Sequence, residues 1–101
     1  LAIDASVGPV WHGGVDGEAE LLASCYRNAF ALAAEHGVRT IAFPAISCGV
    51  YGYPKDAAAA TAVRECLTAL RGAGRFDRIL LVAFDGEMLA AYREAIARLA
   101  R

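Results

Sequence analysis

The chain has 101 residues, 57% of them hydrophobic, and a formal net charge of -1. That length holds one domain at most. Its lysines and arginines are scattered rather than gathered in a stripe, so the electrostatic footprint of a nucleic-acid binder is absent, and no apolar run approaches the ~20 residues that a bilayer-spanning helix needs.

In chain order, Ala2 to Val7 can form a strand that Gly8-Pro9 stops, although Asp4 inside it is costly unless paired. Trp11 to Gly17 reads as a loop, with Asp16 placed to cap a helix and Glu18 and Glu20 in a first turn where negative charge suits the dipole. The spacing of Leu22, Cys25, Tyr26, Ala29 and Ala33 predicts one buried face on a helix running to about His36, and Gly37 closes it. Val38 to Phe43 is a second strand. Pro54 suits the first position of a helix to about Leu70, whose inward stripe is Ala59, Ala62, Val63, Cys66, Leu67 and Leu70. Gly72-Ala73-Gly74 ends that helix.

Ile79 to Phe84 is apolar at every position, as in parallel strands covered on both faces. Asp85 is placed to cap a last helix with Leu89, Tyr92, Ile96 and Leu99 at helical spacing. Alternation of strand and helix three times is the rhythm of an α/β layered domain. Right-handed crossovers would bring the segment after Phe43 and the Phe84-Asp85 end to one carboxyl edge, where open α/β sheets bind ligands. Only three strands can be found, fewer than the five or so of an ordinary sheet. The surplus apolar surface predicts further strands from outside this sequence or from another copy.

The segment between the second strand and the second helix, Pro44 to Pro54, carries Gly49 and Gly52 and leads into a helix start. Glycines let backbone N–H groups approach a ligand, and a helix N-terminus adds unpaired N–H groups and partial positive charge. It is neither a dinucleotide fingerprint nor a Walker A loop, since Lys55 follows the second glycine with no Ser or Thr after it. Residue pattern alone leaves an anion-binding loop and a plain tight connection both open. Ala45-Ile46-Ser47-Cys48-Gly49 imitates a nucleophile elbow, but that triad needs a histidine after the serine, and His12 and His36 both precede it. Cys48 at a helix start would have a lowered thiol pKa, yet no base is identifiable beside it. The chain's three cysteines, Cys25, Cys48 and Cys66, are odd in number and form no CxxC, which fits reduced thiols in a cytoplasmic setting. The histidines share no ligand spacing with them, so no zinc site is expected; no other metal and no cofactor is assigned.

Pro44-Ala45-Ile46-Ser47-Cys48-Gly49-Val50-Tyr51-Gly52-Tyr53-Pro54 resembles the phosphate-loop signature of the macro domain family, whose members bind ADP-ribose. Val7-Gly8-Pro9-Val10-Trp11 and Leu80-Leu81-Val82-Ala83-Phe84-Asp85 resemble the strand before its long helix and its last strand. The resemblance implies a three-layer α/β/α fold with a central mixed, largely parallel sheet, here a single domain over 1–101 without its N-terminal strands. It implies that Ser47, Cys48, Gly49, Val50 and Tyr51 line the diphosphate, that Gly52 allows the turn, and that Phe84 lies beside the adenosine part. Phe84 as a core residue is the competing reading.

The sequence looks most similar to the MacroD-like branch, which hydrolyses O-acetyl-ADP-ribose and removes ADP-ribose from acidic side chains of proteins. The implied partners are ADP-ribose or its esters and ADP-ribosylated protein, with no membrane or nucleic acid. In that branch the water is oriented by an asparagine and an aspartate from an Asn-Ala-Ala-Asn motif and a glycine-rich loop ending in Val-Asp-Gly. Neither is here; Val15-Asp16-Gly17 follows the Gly-Pro-Val-Trp element and is in the wrong order. No catalytic residue is therefore assigned, and a non-catalytic ADP-ribose reader is the alternative.

Overall fold

The computed structural model describes residues 13–14, 17–44, 53–72 and 76–100. In chain order these form α1 (Glu18–Glu35), β1 (Thr40–Phe43), α2 (Lys55–Arg71), β2 (Arg78–Leu81) and α3 (Gly86–Leu99). The strand expected at Ala2 to Val7 and the cap expected at Asp16 lie outside the described residues; Gly17 occupies the N-cap position of α1.

Helix α1 buries Leu22, Ala23, Tyr26, Ala29, Phe30 and Ala33, a stripe that follows the 3.6-residue period. Cys25 sits half-buried on its flank. The helix ends in a Schellman turn. The N–H of Val38 donates to Ala33 O at 2.9 Å, the N–H of Gly37 to Ala34 O at 3.1 Å, and Gly37 takes φ 70, which a residue with a side chain adopts at a cost. At the other end the Glu18 carboxylate, itself buried, accepts from the N–H of Gly14 at 2.8 Å and draws the preceding loop onto the first turn.

β1 and β2 pair in parallel, from Thr40 opposite Arg78 to Phe43 opposite Leu81. Ile41 and Phe43 face the helices. Phe43 stands edge-on to Tyr26 and Phe30, with ring centroids at 5.0 and 5.2 Å, and Phe30 leans on Phe76 at 5.3 Å. Each such buried side chain contributes about 1.5–3 kcal/mol through the area removed from water, and the edge-to-face pairs add roughly 0.5–1.5 kcal/mol. The cluster fixes the height of α1 over the sheet.

Helix α2 packs against both α1 and α3. Ala58, Ala59 and Ala62 are buried on it, so its neighbours approach closely. Leu70, expected inside, is exposed, because the stripe runs out before the last turn. The buried face of α3 is Met88, Ala91, Tyr92 and Ala95, with Leu99 packed against the core; of the expected Leu89, Tyr92, Ile96 and Leu99, Leu89 and Ile96 are exposed instead. The short Ala91 and Ala95 side chains meet the alanine face of α2, which rolls Leu89 and Ile96 outward into solvent.

β2 departs from the expectation of cover on both faces. Ile79, Leu81 and Ala83 pack against the core, whereas Leu80, Val82 and Phe84 are 40%, 54% and 54% exposed. Among the described residues the helices therefore cover one face of the sheet, and the other presents apolar side chains. No described helix is long and apolar enough to cross a membrane.

Candidate functional site

Because β1 and β2 are parallel, their carboxyl ends lie at one edge. The N–H of Val82 donates to Phe43 O at 2.8 Å and carries the pairing to the last residue of β1. From this edge the chain leaves at Pro44 and returns at Tyr53. Ser47, Cys48, Gly49, Val50, Tyr51 and Gly52 lie outside the described residues. The flanks of that segment are fixed. Tyr53 is buried in the core. Pro54 follows at the N-cap of α2 with φ -57, and its carbonyl accepts from the N–H of Ala58 at 2.9 Å. Proline sits one position earlier than expected, and its missing N–H costs nothing there.

The second connection starts at the same edge. Phe84 stands more than half exposed, so within the described residues it is not a core side chain. Asp85 caps α3 as its sequence position implied, with Oδ1 accepting from the N–H of Met88 at 2.8 Å. Its other oxygen, Oδ2, accepts from Lys55 Nζ at 2.8 Å, and Glu87 Oε2 accepts from the same ammonium at 2.9 Å. Lys55 opens α2, so this cluster holds the N-termini of two helices side by side. The ammonium also lies 5.2 Å from the centroid of the Phe84 ring. The Asp85 carboxyl is held below the usual aspartate range, chiefly by Lys55 and then by the Met88 N–H. The Lys55 ammonium is held above the usual lysine range, by Asp85 first and Glu87 second.

Beside this cluster a groove of about 490 Å³ runs between the first turns of α2 and α3, lined in part by Pro54, Lys55, Asp56, Glu87 and Glu94. The described cysteines offer no nucleophile. Burial pushes the Cys66 thiol up to about 12, with Glu65 adding to it, and burial also raises Cys25. Among the described residues no group of three His, Cys, Asp or Glu side chains is gathered as metal ligands would be.

The family model of the Macro domain matches residues 3–62, which span the first helix, β1, the segment 44–54 and the start of α2. The chain belongs to the macro domain family. A macro domain-containing protein of Chlorobaculum tepidum is 55% identical, over 91% of this chain and 54% of its own length. A Klebsiella pneumoniae protein named O-acetyl-ADP-ribose deacetylase is 51% identical, over 95% of this chain and 55% of its own. The chain thus spans about half the length of the curated relatives it matches. The Oceanobacillus iheyensis macrodomain with ADP superposes with a TM-score of 0.86 at 38% identity, over 93% of this chain and 49% of that one. The Trypanosoma brucei macrodomain in complex with ADP-ribose superposes with 0.74 at 32% identity, over 77% of this chain and 34% of that one. The fold is the α/β macro fold, of which β1, β2 and their three helices form a part.

Sequence reasoning missed Lys55 as part of this edge. It was visible there only as a lysine in the wrong place for a Walker A loop, and its partners lie about thirty residues further on.

Proposed function

We propose that this macro domain chain binds ADP-ribose at the carboxyl edge of β1 and β2. In this reading Ser47, Cys48, Gly49, Val50 and Tyr51 line the diphosphate, Gly52 allows the turn, and Phe84 lies against the adenosine part. The observation that carries it is the convergence on one edge of the two flanks of the 45–52 segment, the exposed Phe84 ring and two adjacent helix N-termini. Asp85 caps the start of α3, whereas the start of α2 has no side-chain cap, so the N–H groups and positive dipole end of α2 are the ones that favour a diphosphate. An exposed aromatic ring stacks on a nucleoside with little demand on exact registry. The names of the relatives agree, since macrodomains similar to this chain bind ADP and ADP-ribose.

For the whole protein the reading extends to hydrolysis at the distal ribose, releasing the acyl group of O-acetyl-ADP-ribose or an acidic side chain of a modified protein. The Klebsiella relative is named for the first of these. No catalytic residue is assigned to this chain, because the Asn-Ala-Ala-Asn motif and the ordered Val-Asp-Gly loop do not occur in it. The second reading is a module that binds ADP-ribose or ADP-ribosylated protein without turning it over. A cytoplasmic setting goes with either, on the ground of three cysteines, an odd number, with no CxxC among them.

Calorimetric titration with ADP-ribose, with AMP and ribose 5-phosphate as controls, tests the binding. Saturable binding that Gly49→Glu abolishes, with the melting temperature kept, supports the loop as the site. A folded chain that takes up no ADP-ribose overturns the reading. Release of acetate from O-acetyl-ADP-ribose by the same preparation separates hydrolase from reader.

A further inference from the structure

We propose that Lys55 is a positioning residue of this site: clamped by Asp85 and Glu87, its ammonium holds one face of the Phe84 ring and fixes the ring for the nucleoside part of the ligand. The inference rests on the reading that Phe84 contacts the adenosine.

A lysine directly after a glycine-rich, anion-binding segment would ordinarily be taken as a phosphate ligand. Its surroundings say otherwise. Two of its three donor positions are taken by carboxylates at 2.8 and 2.9 Å, and the local charge of Lys55, Asp85 and Glu87 together is negative. An ammonium so neutralised adds little attraction for a diphosphate. What it does hold is geometry. Phe84 is the last residue before the cap of α3, and more than half of it is exposed, so core packing does not hold its ring. The ammonium 5.2 Å from the ring centroid is within cation–π range. Asp85 fixes that ammonium and is itself fixed by capping the helix through the N–H of Met88. The chain of contacts runs from the α3 backbone through Asp85 to Lys55 and then to the ring. A ring held on one face presents the other to a partner with less motion to lose on binding.

The test is a pair of measurements on the 101-residue chain. The first reads the ring without ligand. In a Trp11→Phe background, Phe84→Trp supplies the single reporter, and its acrylamide quenching is compared with and without Lys55→Met. The expected result is stronger quenching and lower anisotropy when the ammonium is gone, restored by Lys55→Arg. Unchanged quenching overturns the proposal whatever the ligand does.

The second is a double-mutant cycle on ADP-ribose affinity with Lys55→Met and Phe84→Ala. The expected loss for Lys55→Met is about 3–10-fold, and it vanishes in the Phe84→Ala background because Lys55 acts only through the ring. A loss of the same size in both backgrounds makes Lys55 a direct ligand contact and overturns the proposal, as does no loss in either. Wild-type chain that binds no ADP-ribose, or binds it equally well after Phe84→Ala, overturns the functional reading first and this proposal with it.

Discussion

The two edges of the β1–β2 sheet are each closed by an ion pair, and the pairs behave differently. At the amino edge Arg39 meets Asp77 in two parallel bonds of 2.8 Å, from Nε to Oδ2 and from the second guanidinium nitrogen to Oδ1. The N–H of Asp77 also donates to Arg39 O at 2.8 Å. The planar fork matches the carboxylate and pairs both charges with each other, beside a groove of about 490 Å³ lined in part by Gly37, Val38 and Arg39. At the carboxyl edge a lysine does the joining. A point charge shared by Asp85 and Glu87 ties two helix starts together and leaves an aromatic ring and a groove facing outward. A sheet whose strands run parallel has two unlike ends, and among the described residues the carboxyl end is the one that gathers an exposed ring beside two helix starts.

The sharpest way to break that contrast uses Phe43, the last residue of β1, and Phe84, three residues past the end of β2. Phe43 is 5% exposed and wedged between Tyr26 and Phe30; Phe84 is 54% exposed. Phe43→Ala is expected to destabilise the fold by about 3–5 kcal/mol, through lost transfer energy and the cavity it leaves. Phe84→Ala should change stability by no more than about 0.5 kcal/mol while weakening ADP-ribose by ~1–3 kcal/mol, the worth of one stacked base. Urea unfolding beside calorimetric titration checks both. Equal losses of stability would mean that the carboxyl edge is core and not a site.

The same pair shows how far the sequence could be read. Helix boundaries were legible because the punctuation is chemical: a positive-φ glycine at position 37, Pro54 where an N–H is dispensable, and Asp85 one residue before α3. The loop proposed to hold the diphosphate was legible as an ordered motif. The buried stripe of α3 was not, because Leu89 and Ile96 look more like core than Ala91 and Ala95 do. Only the alanine face of α2 opposite makes the small residues the inner ones. Phe84 could not be told from a core residue, since an all-apolar strand gives no sign of which face is covered. Lys55 could not be placed at all: a bond between residues thirty positions apart depends on two helix starts meeting in space.

A smaller effect separates the edges. Arg39→Ala and Asp77→Ala remove the amino-edge pair, which lies at the opposite end of both strands from Phe84. ADP-ribose affinity should stay within about twofold of wild type, as for sites that share no partner. A larger loss in both variants would show that the amino edge sets the strand ends that the ligand reads.

The smallest expected effect is on the acid limb of stability, and it ranks the two pairs. Asp77 is held below the ordinary aspartate value of 3.8 by the Arg39 hydrogen bond, and Asp85 by Lys55 and then the Met88 N–H. A carboxylate with a depressed folded-state pKa binds fewer protons folded than unfolded, so stability rises with pH in that window. The contribution is full above 3.8 and fades as pH falls through the folded-state values. Arg39 and Lys55 shift upward, and their share is lost only as pH rises past the usual lysine and arginine range. Below pH 4 the aspartates therefore decide. Asp77 has one cationic partner, whereas Asp85 holds both a cation and a helix cap, so Asp85→Asn should flatten the slope of urea midpoint against pH between about 2.5 and 5 more than Asp77→Asn does. An asparagine keeps the cap acceptor, so what Asp85→Asn removes is the negative charge that pairs with Lys55. If both variants keep the wild-type slope, neither pair holds its edge, and the contrast between them is one of geometry alone.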